Sequence, residues 1–231
     1  MITLITFPSA FGEVSASPFC VKAMAMLNMA GVAWQREDTN DPRKMPYQKL
    51  PVIRVDGQLI GDTTLIRRYL EGRGADFDPG LNDLQKAQSR AFIHMAEDNL
   101  YFHQLLDRWE NDKVWAILQN SFFGDIPKVL RGLISGRVRA AQLKAGKAQG
   151  LGRFTAAERL DLIEPDLQAI AMIVGEGFLI GDVPSSADIS VAAVLAGMMA
   201  TPVETPLQQR VAGDPVLSAY VDRVKPLWVT S

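Results

Sequence analysis

Gly72, Gly74, Asp76, Asp78, Pro79 and Gly80 fall within a stretch ending at Asp83, and the hydrophobic period differs on its two sides. Such a cluster interrupts helices and strands alike and marks a connection. Before it the period changes repeatedly. Residues 2–7 form a β-rich apolar run. Pro18 to Ala30 places Phe19, Ala23, Met26, Leu27 and Ala30 at helical spacing until Gly31 stops it. Val32–Trp34 resumes an extended pattern, Val52–Val55 and Gln58–Ile60 flank an Asp56–Gly57 turn, and Thr63–Leu70 returns to helix. The order strand, helix, strand, loop, hairpin, helix predicts a small mixed sheet whose uncovered face needs further helices.

After the stretch nothing reads as sheet. The period predicts helices over Leu84–Trp115, Lys128–Ala148, Thr155–Val174, Ser186–Ala200 and Pro215–Val224. Thr155 with Glu158, and Ser185 with Asp188, have capping-box spacing. The fold class is therefore α/β plus all-α. Residues 1–75 form a first domain, 76–83 a linker and 84–231 a helical domain.

A chain that is 48% hydrophobic and 22% charged can bury a core, which excludes wholesale disorder. Its 24 Lys and Arg against 26 Asp and Glu give a net charge of −2, with no global field for nucleic acid or anionic lipid. One cysteine, Cys20, makes no intramolecular disulfide, and with only His94 and His103 a zinc-finger site is out of reach. The apolar start reads as a strand rather than a secretory signal. The uncharged run Ile189–Val203 is shorter than the roughly 20 apolar residues that span a bilayer. A cytoplasmic protein without a membrane span is expected.

Two segments are candidates for chemistry. Ser15-Ala16-Ser17-Pro18-Phe19-Cys20 lies at the head of the first helix, where N–H groups and the helix dipole favour an anion such as a thiolate. Ser17 and Cys20 keep C-x-x-C spacing with serine in the first place, which removes dithiol exchange and leaves a hydroxyl donor. Ser17 and Pro18 equally suit an N-cap and a first helical residue. The second segment joins Lys49-Leu50-Pro51-Val52-Ile53 to Asp62-Thr63. A proline before an edge strand can hold a cis peptide and expose the preceding peptide to an extended ligand. Asp62 and Thr63 start the next helix, where they can hold an amino and a carboxylate group or simply cap.

The strand, the Ser-Pro-Phe-Cys helix start, the Leu-Pro-Val-Ile strand, the Asp-Gly turn, the Asp-Thr helix start and the helical remainder together resemble the glutathione transferase superfamily, with a thioredoxin-like first domain. Asp41-Pro42-Arg43-Lys44, Lys49-Leu50-Pro51, Gly150-Leu151-Gly152-Arg153 and Gly181-Asp182-Val183-Pro184-Ser185-Ser186-Ala187-Asp188 are similar to its failed-axon-connections and metaxin-like group. The resemblance implies that glutathione is the co-substrate, pairing with Leu50 before a cis Pro51. Asp62 and Thr63 then hold its γ-glutamyl end, and Lys44 and Lys49 are candidates for its glycyl carboxylate. It implies a Ser17 hydroxyl bonded to the glutathione sulfur, with Ser15 and Cys20 as the other candidates, a small hydrophobic electrophile, and a homodimer. The alternatives are a non-enzymatic interaction protein and a redox protein using Cys20. The usual Glu-Ser pair at the γ-glutamyl site is Asp62-Thr63 here, and Ala16 stands where serine-type relatives often carry their catalytic serine.

Weaker signals complete the reading. No acidic residue lies between Asp125 and Glu158, while Lys128, Arg131, Arg137, Arg139, Lys144, Lys147 and Arg153 do. With no aromatic residue between Lys128 and Arg153 to stack bases, this reads as a solvated face. His94 with Glu97, and His103 with Asp107, read as helix-surface pairs rather than metal ligands. Trp109, Trp115, Phe122, Phe123, Trp228 and the methionines at 24, 26, 29, 198 and 199 are candidates for an apolar substrate pocket, with core packing as the default.

Overall fold

The computed structural model describes residues 1–124 and 126–229. Strand β1 (Ile2–Thr6) is buried along its length and lies inside a four-stranded sheet of order β2-β1-β3-β4. Helix α1 (Pro18–Met29) returns the chain to β2 (Trp34–Asp38), which runs parallel to β1 from Ile2↔Trp34 to Thr6↔Asp38. The strand begins at Trp34, later than the extended pattern expected from Val32, and is an edge of charged, exposed side chains, which discourages further pairing. Two short 3-10 turns, Pro42–Lys44 and Pro46–Gln48, lead to β3 (Val52–Val55), antiparallel to β1. Asp56 and Gly57 both take positive φ, 49° and 80°, as a two-residue hairpin turn requires, and β4 (Gln58–Gly61) closes the sheet. Helix α2 (Thr63–Glu71) follows.

The helical remainder departs from the expected Leu84–Trp115 helix. Asn82 and Gln85 form a capping box that opens α3 (Asp83–His94), a π-helical turn spans Met95–Leu100, and α4 (Tyr101–Glu110) follows. The chain then breaks at Asn111, whose side chain accepts from Lys113 N and Val114 N and starts α5 (Asp112–Phe123). Next come α6 (Lys128–Gln149), α7 (Ala156–Val174), α8 (Ser186–Met199), α9 (Pro206–Ala212) and α10 (Pro215–Val224). Thr155 caps α7 with Glu158, as the spacing predicted.

Helix α8 is buried at every position from Ser186 to Met198, the pattern of a helix enclosed by protein. It packs against α1, α3, α9 and α10, and so joins the sheet-bearing half to the helical half. Asp188 at its start is wholly buried and accepts from Ser185 N, Ser185 Oγ, Leu179 N and the Tyr220 hydroxyl at 2.7–2.9 Å. Buried carboxylates are tolerated only with such full satisfaction. Among the described residues, no helix is long and apolar enough to cross a membrane.

Candidate active site

The head of α1 is set by Ser17, whose extended backbone (φ −112°, ψ 126°) and following Pro18 are those of an N-cap and a first helical residue. Its carbonyl accepts from Cys20 N and Val21 N, yet its hydroxyl makes no capping bond. The capping role expected of that hydroxyl is thus not exercised, and the side chain is half-buried. Ser15 differs. It is 3% exposed, donates to the Phe7 carbonyl at 2.9 Å and lies 3.2 Å from the Thr6 hydroxyl, so its oxygen is committed inside the protein. Cys20 is wholly buried beneath it. Burial pushes the thiol above its ordinary pKa, although the hydroxyls of Thr6, Ser15 and Ser17 and the Phe7 backbone pull the other way. A neutral buried thiol is a poor nucleophile.

The second segment leads into β3, which lies between β1 and β4 and is therefore not the edge strand expected. The Leu50–Pro51 peptide is cis, both side chains are buried, and no hydrogen bond among the described residues uses the Leu50 N–H or C=O. Asp62 sits at φ 72° before α2; its Oδ1 accepts from Thr64 N at 2.8 Å and its carbonyl from Ile66 N at 2.9 Å, so it does cap the helix. Thr63 is buried, and Lys44 and Lys49 are exposed on the 3-10 turn and just before Leu50.

The expected apolar pocket is divided. Phe122, near the end of α5, places its ring 6.4 Å from Phe7 and 6.1 Å from Phe11, over the loop between β1 and α1. Trp109, Trp115 and Phe123 form a separate group that includes the Arg139 guanidinium. Trp228, Met24, Met26 and Met198 are core residues at 1% exposure or less, and Met24 and Trp228 line, with Val14, Trp34 and Arg36, a cavity of about 330 Å³ apart from the Phe122 ring. Sequence reasoning passed over Phe7, Phe11, Tyr101 and Arg108. Tyr101 meets Phe19 edge-on at 4.7 Å, and Arg108 donates to the Ala16 carbonyl at 3.2 Å. The available signal was the i,i+4 pair Gln104 and Arg108, polar residues that lie on the buried face of α4.

The histidine pairings also need correction. His94 bonds Asp98, one helical turn on, while Glu97 turns to Lys22 of α1. Asp107 accepts from the Thr205 hydroxyl, and buried His103 has its pKa lowered to about 4 by desolvation and by the Arg159 charge. No group of three or more potential ligands for a metal occurs among the described residues.

Comparison with known proteins agrees with this architecture. The family of the glutathione S-transferase N-terminal domain matches residues 18–115, and that of the glutathione S-transferase C-terminal domain matches residues 163–224. An isoprene-epoxide glutathione S-transferase of Rhodococcus sp. (strain AD45) is 27% identical, over 97% of this chain and 98% of its own. Failed axon connections of Drosophila melanogaster is 26% identical over 91% of this chain, which spans 54% of that protein's length. The crystal structure of a glutathione transferase from Phanerochaete chrysosporium superposes with a TM-score of 0.68 at 17% identity, covering 100% of this chain and 99% of the other. With both domain families matched in order along one chain of this fold, the protein belongs to the glutathione transferase superfamily.

Proposed function

We propose that the protein is a glutathione transferase acting as a cytoplasmic homodimer. The tripeptide lies along the Leu50–Pro51 segment, its cysteinyl unit paired with the Leu50 backbone. Its γ-glutamyl end sits at Asp62 and Thr63, and Lys44 and Lys49 neutralise its glycyl carboxylate. Ser17 donates to the sulfur. The observation that carries this reading is the Ser17 hydroxyl, half-buried at a helix head and not used for capping. A hydroxyl donor and the positive end of a helix dipole both favour thiolate over thiol.

The thiol proton leaves to solvent. The sulfur then forms a carbon–sulfur bond to a small hydrophobic electrophile near Phe7, Phe11 and Phe122. For an epoxide, the electrophile named by the Rhodococcus relative, the carbon–oxygen bond breaks and the oxygen takes a proton from water. Holding both reactants in one site supplies most of the acceleration.

The test is conjugation of glutathione to an epoxide and to a chloronitroaromatic compound, with calorimetric binding of glutathione at millimolar concentration. Ser17→Ala is expected to lower kcat about 100-fold. A non-enzymatic interaction protein is the second reading, favoured by the Asp62 carboxylate, which is engaged in capping. Equal background rates for native protein and Ser17→Ala would select it. Redox chemistry at Cys20 is disfavoured by the burial of its thiol.

A further inference from the structure

Arg108 is 6% exposed on α4, and no carboxylate hydrogen-bonds it among the described residues. Its Nη1 donates to the Ala16 carbonyl at 3.2 Å, its Nη2 to the Gly197 carbonyl of α8, and its Nε has no partner among the described residues. The guanidinium carbon lies 5.5 Å from the centroid of the Phe11 ring. Gly197 is what lets α4 come this close: a Cβ there would stand 2.1 Å from Gln104 Nε2.

A buried guanidinium without an ion-pair partner is costly and needs a reason. Burial lowers its pKa to about 10, so it stays charged at neutral pH. The titratable groups around it are Asp107, Tyr101 and Glu13, and each acts through space only. Glu13 is paired with Lys225 at 3.0 Å, and Asp107 accepts from Thr205 and feels Arg159. Tyr101 has its pKa raised by burial and is neutral. The Arg108 charge is therefore offset only through space, chiefly by Asp107, and by no direct carboxylate contact. It is fixed on the carbonyl of the Ala16–Ser17 peptide, whose N–H belongs to Ser17 and donates to Ser15 Oγ at 3.5 Å, so the bond polarises that N–H as well.

We propose that Arg108 is a positioning residue that acts through the Ala16–Ser17 peptide, its buried charge favouring the anionic form of a sulfur held at the head of α1. The inference rests on the reading of that head as the glutathione sulfur site, and adds a cation from the helical half to the dipole and hydroxyl of the sheet-bearing half. At an effective dielectric of about 20, one charge still shifts a thiol by about one pKa unit from about 12 Å away.

The test places a thiol at the position itself. In Ser17→Cys carrying Cys20→Ala, which removes the C-x-x-C dithiol the first substitution would otherwise create, iodoacetamide alkylation is followed against pH; Cys20→Ala alone gives the background. The introduced thiol is expected to titrate about one unit or more below the ordinary cysteine value near 8.5. Adding Arg108→Gln is expected to raise it by about one unit, and Arg108→Lys to retain most of the depression. Equal titration with and without Arg108→Gln overturns the proposal. A Ser17→Cys thiol at the ordinary value overturns it without any change at Arg108, which covers an Arg108→Gln protein that does not fold. Glutathione is not needed for this readout. A depressed, Arg108-dependent thiol in a protein that binds no glutathione upholds Arg108 and removes the transferase reading.

Discussion

Lys22 of α1 and Glu97 of the π-helical turn meet at 2.5 Å across the junction between the sheet-bearing and helical halves, with side chains 6% and 17% exposed. Neither charge has water enough to stand alone. Lys22→Met is expected to cost about 3 kcal/mol or more, because Glu97 is left buried without its partner. The double change Lys22→Met with Glu97→Leu is expected to recover most of that loss. Urea unfolding of the four proteins of the cycle measures both. A single variant as stable as the native protein would show that the pair contributes nothing to the junction.

Asp78 supplies a second tie. Its Oδ2 accepts from Arg67 of α2 at 2.6 Å, and its Oδ1 from Ser186 N, Ser186 Oγ and Ser89 Oγ. Burial works against its ionisation, but Ser186 and Arg67 outweigh it and hold the carboxyl below the usual range. The folded pKa is below the unfolded one, so this stabilisation is fully present above about pH 4 and is lost as pH falls through the folded value. Asp78→Ala is expected to cost about 3 kcal/mol at neutral pH and to flatten the acid limb of the stability curve. Thermal melting of both proteins between pH 7 and strong acid checks this.

His103 acts at milder pH. It is neutral in the fold with a pKa of about 4, whereas in the unfolded chain it takes its proton near pH 6.5. The unfolded state therefore binds more protons between these values. Stability falls as pH drops from about 6.5 to about 4, by about 3 kcal/mol in all, and this contribution levels off below. His103→Gln is expected to show a shallower decline over that window. Superimposable pH profiles for native protein and variant would mean that His103 does not titrate differently in the two states.

Cys20 is expected to be inert in the native fold. Its reaction with a disulfide reagent should be at least about 100-fold slower than in denaturant, because it requires local opening. Glutathione disulfide should leave the protein mass unchanged. A rapid mixed disulfide under native conditions would return Cys20 to the list of functional groups.

Much of this fold is legible in the chain. The β1 run, the Asp56–Gly57 turn and the capping residues Thr155 and Ser185 carry local signals that tertiary context reinforces. The break at Asn111 is less visible, because the apolar period continues into α5 while the cap itself is one side-chain oxygen. The roles of Ser15 and Ser17 are indistinguishable by spacing: which hydroxyl turns inward depends on where Phe7 and Thr6 place their acceptors. Spacing pairs His94 with Glu97 at i,i+3, but Lys22, 75 residues away in the chain, takes that carboxylate and leaves Asp98 for the histidine. Arg108 is not legible in the chain because its partners are two backbone carbonyls, which have no sequence signature.

The transferase reading rests on stabilisation of a borrowed thiolate by Ser17 at the head of α1. It is tested most directly by titrating the ultraviolet absorbance of the glutathione thiolate bound to native protein and to Ser17→Ala. The bound thiol is expected about one unit or more below the ordinary thiol value near 8.5, returning toward it in Ser17→Ala while glutathione still binds. Bound glutathione that titrates like the free thiol in native protein, or identically in the two proteins, would contradict it.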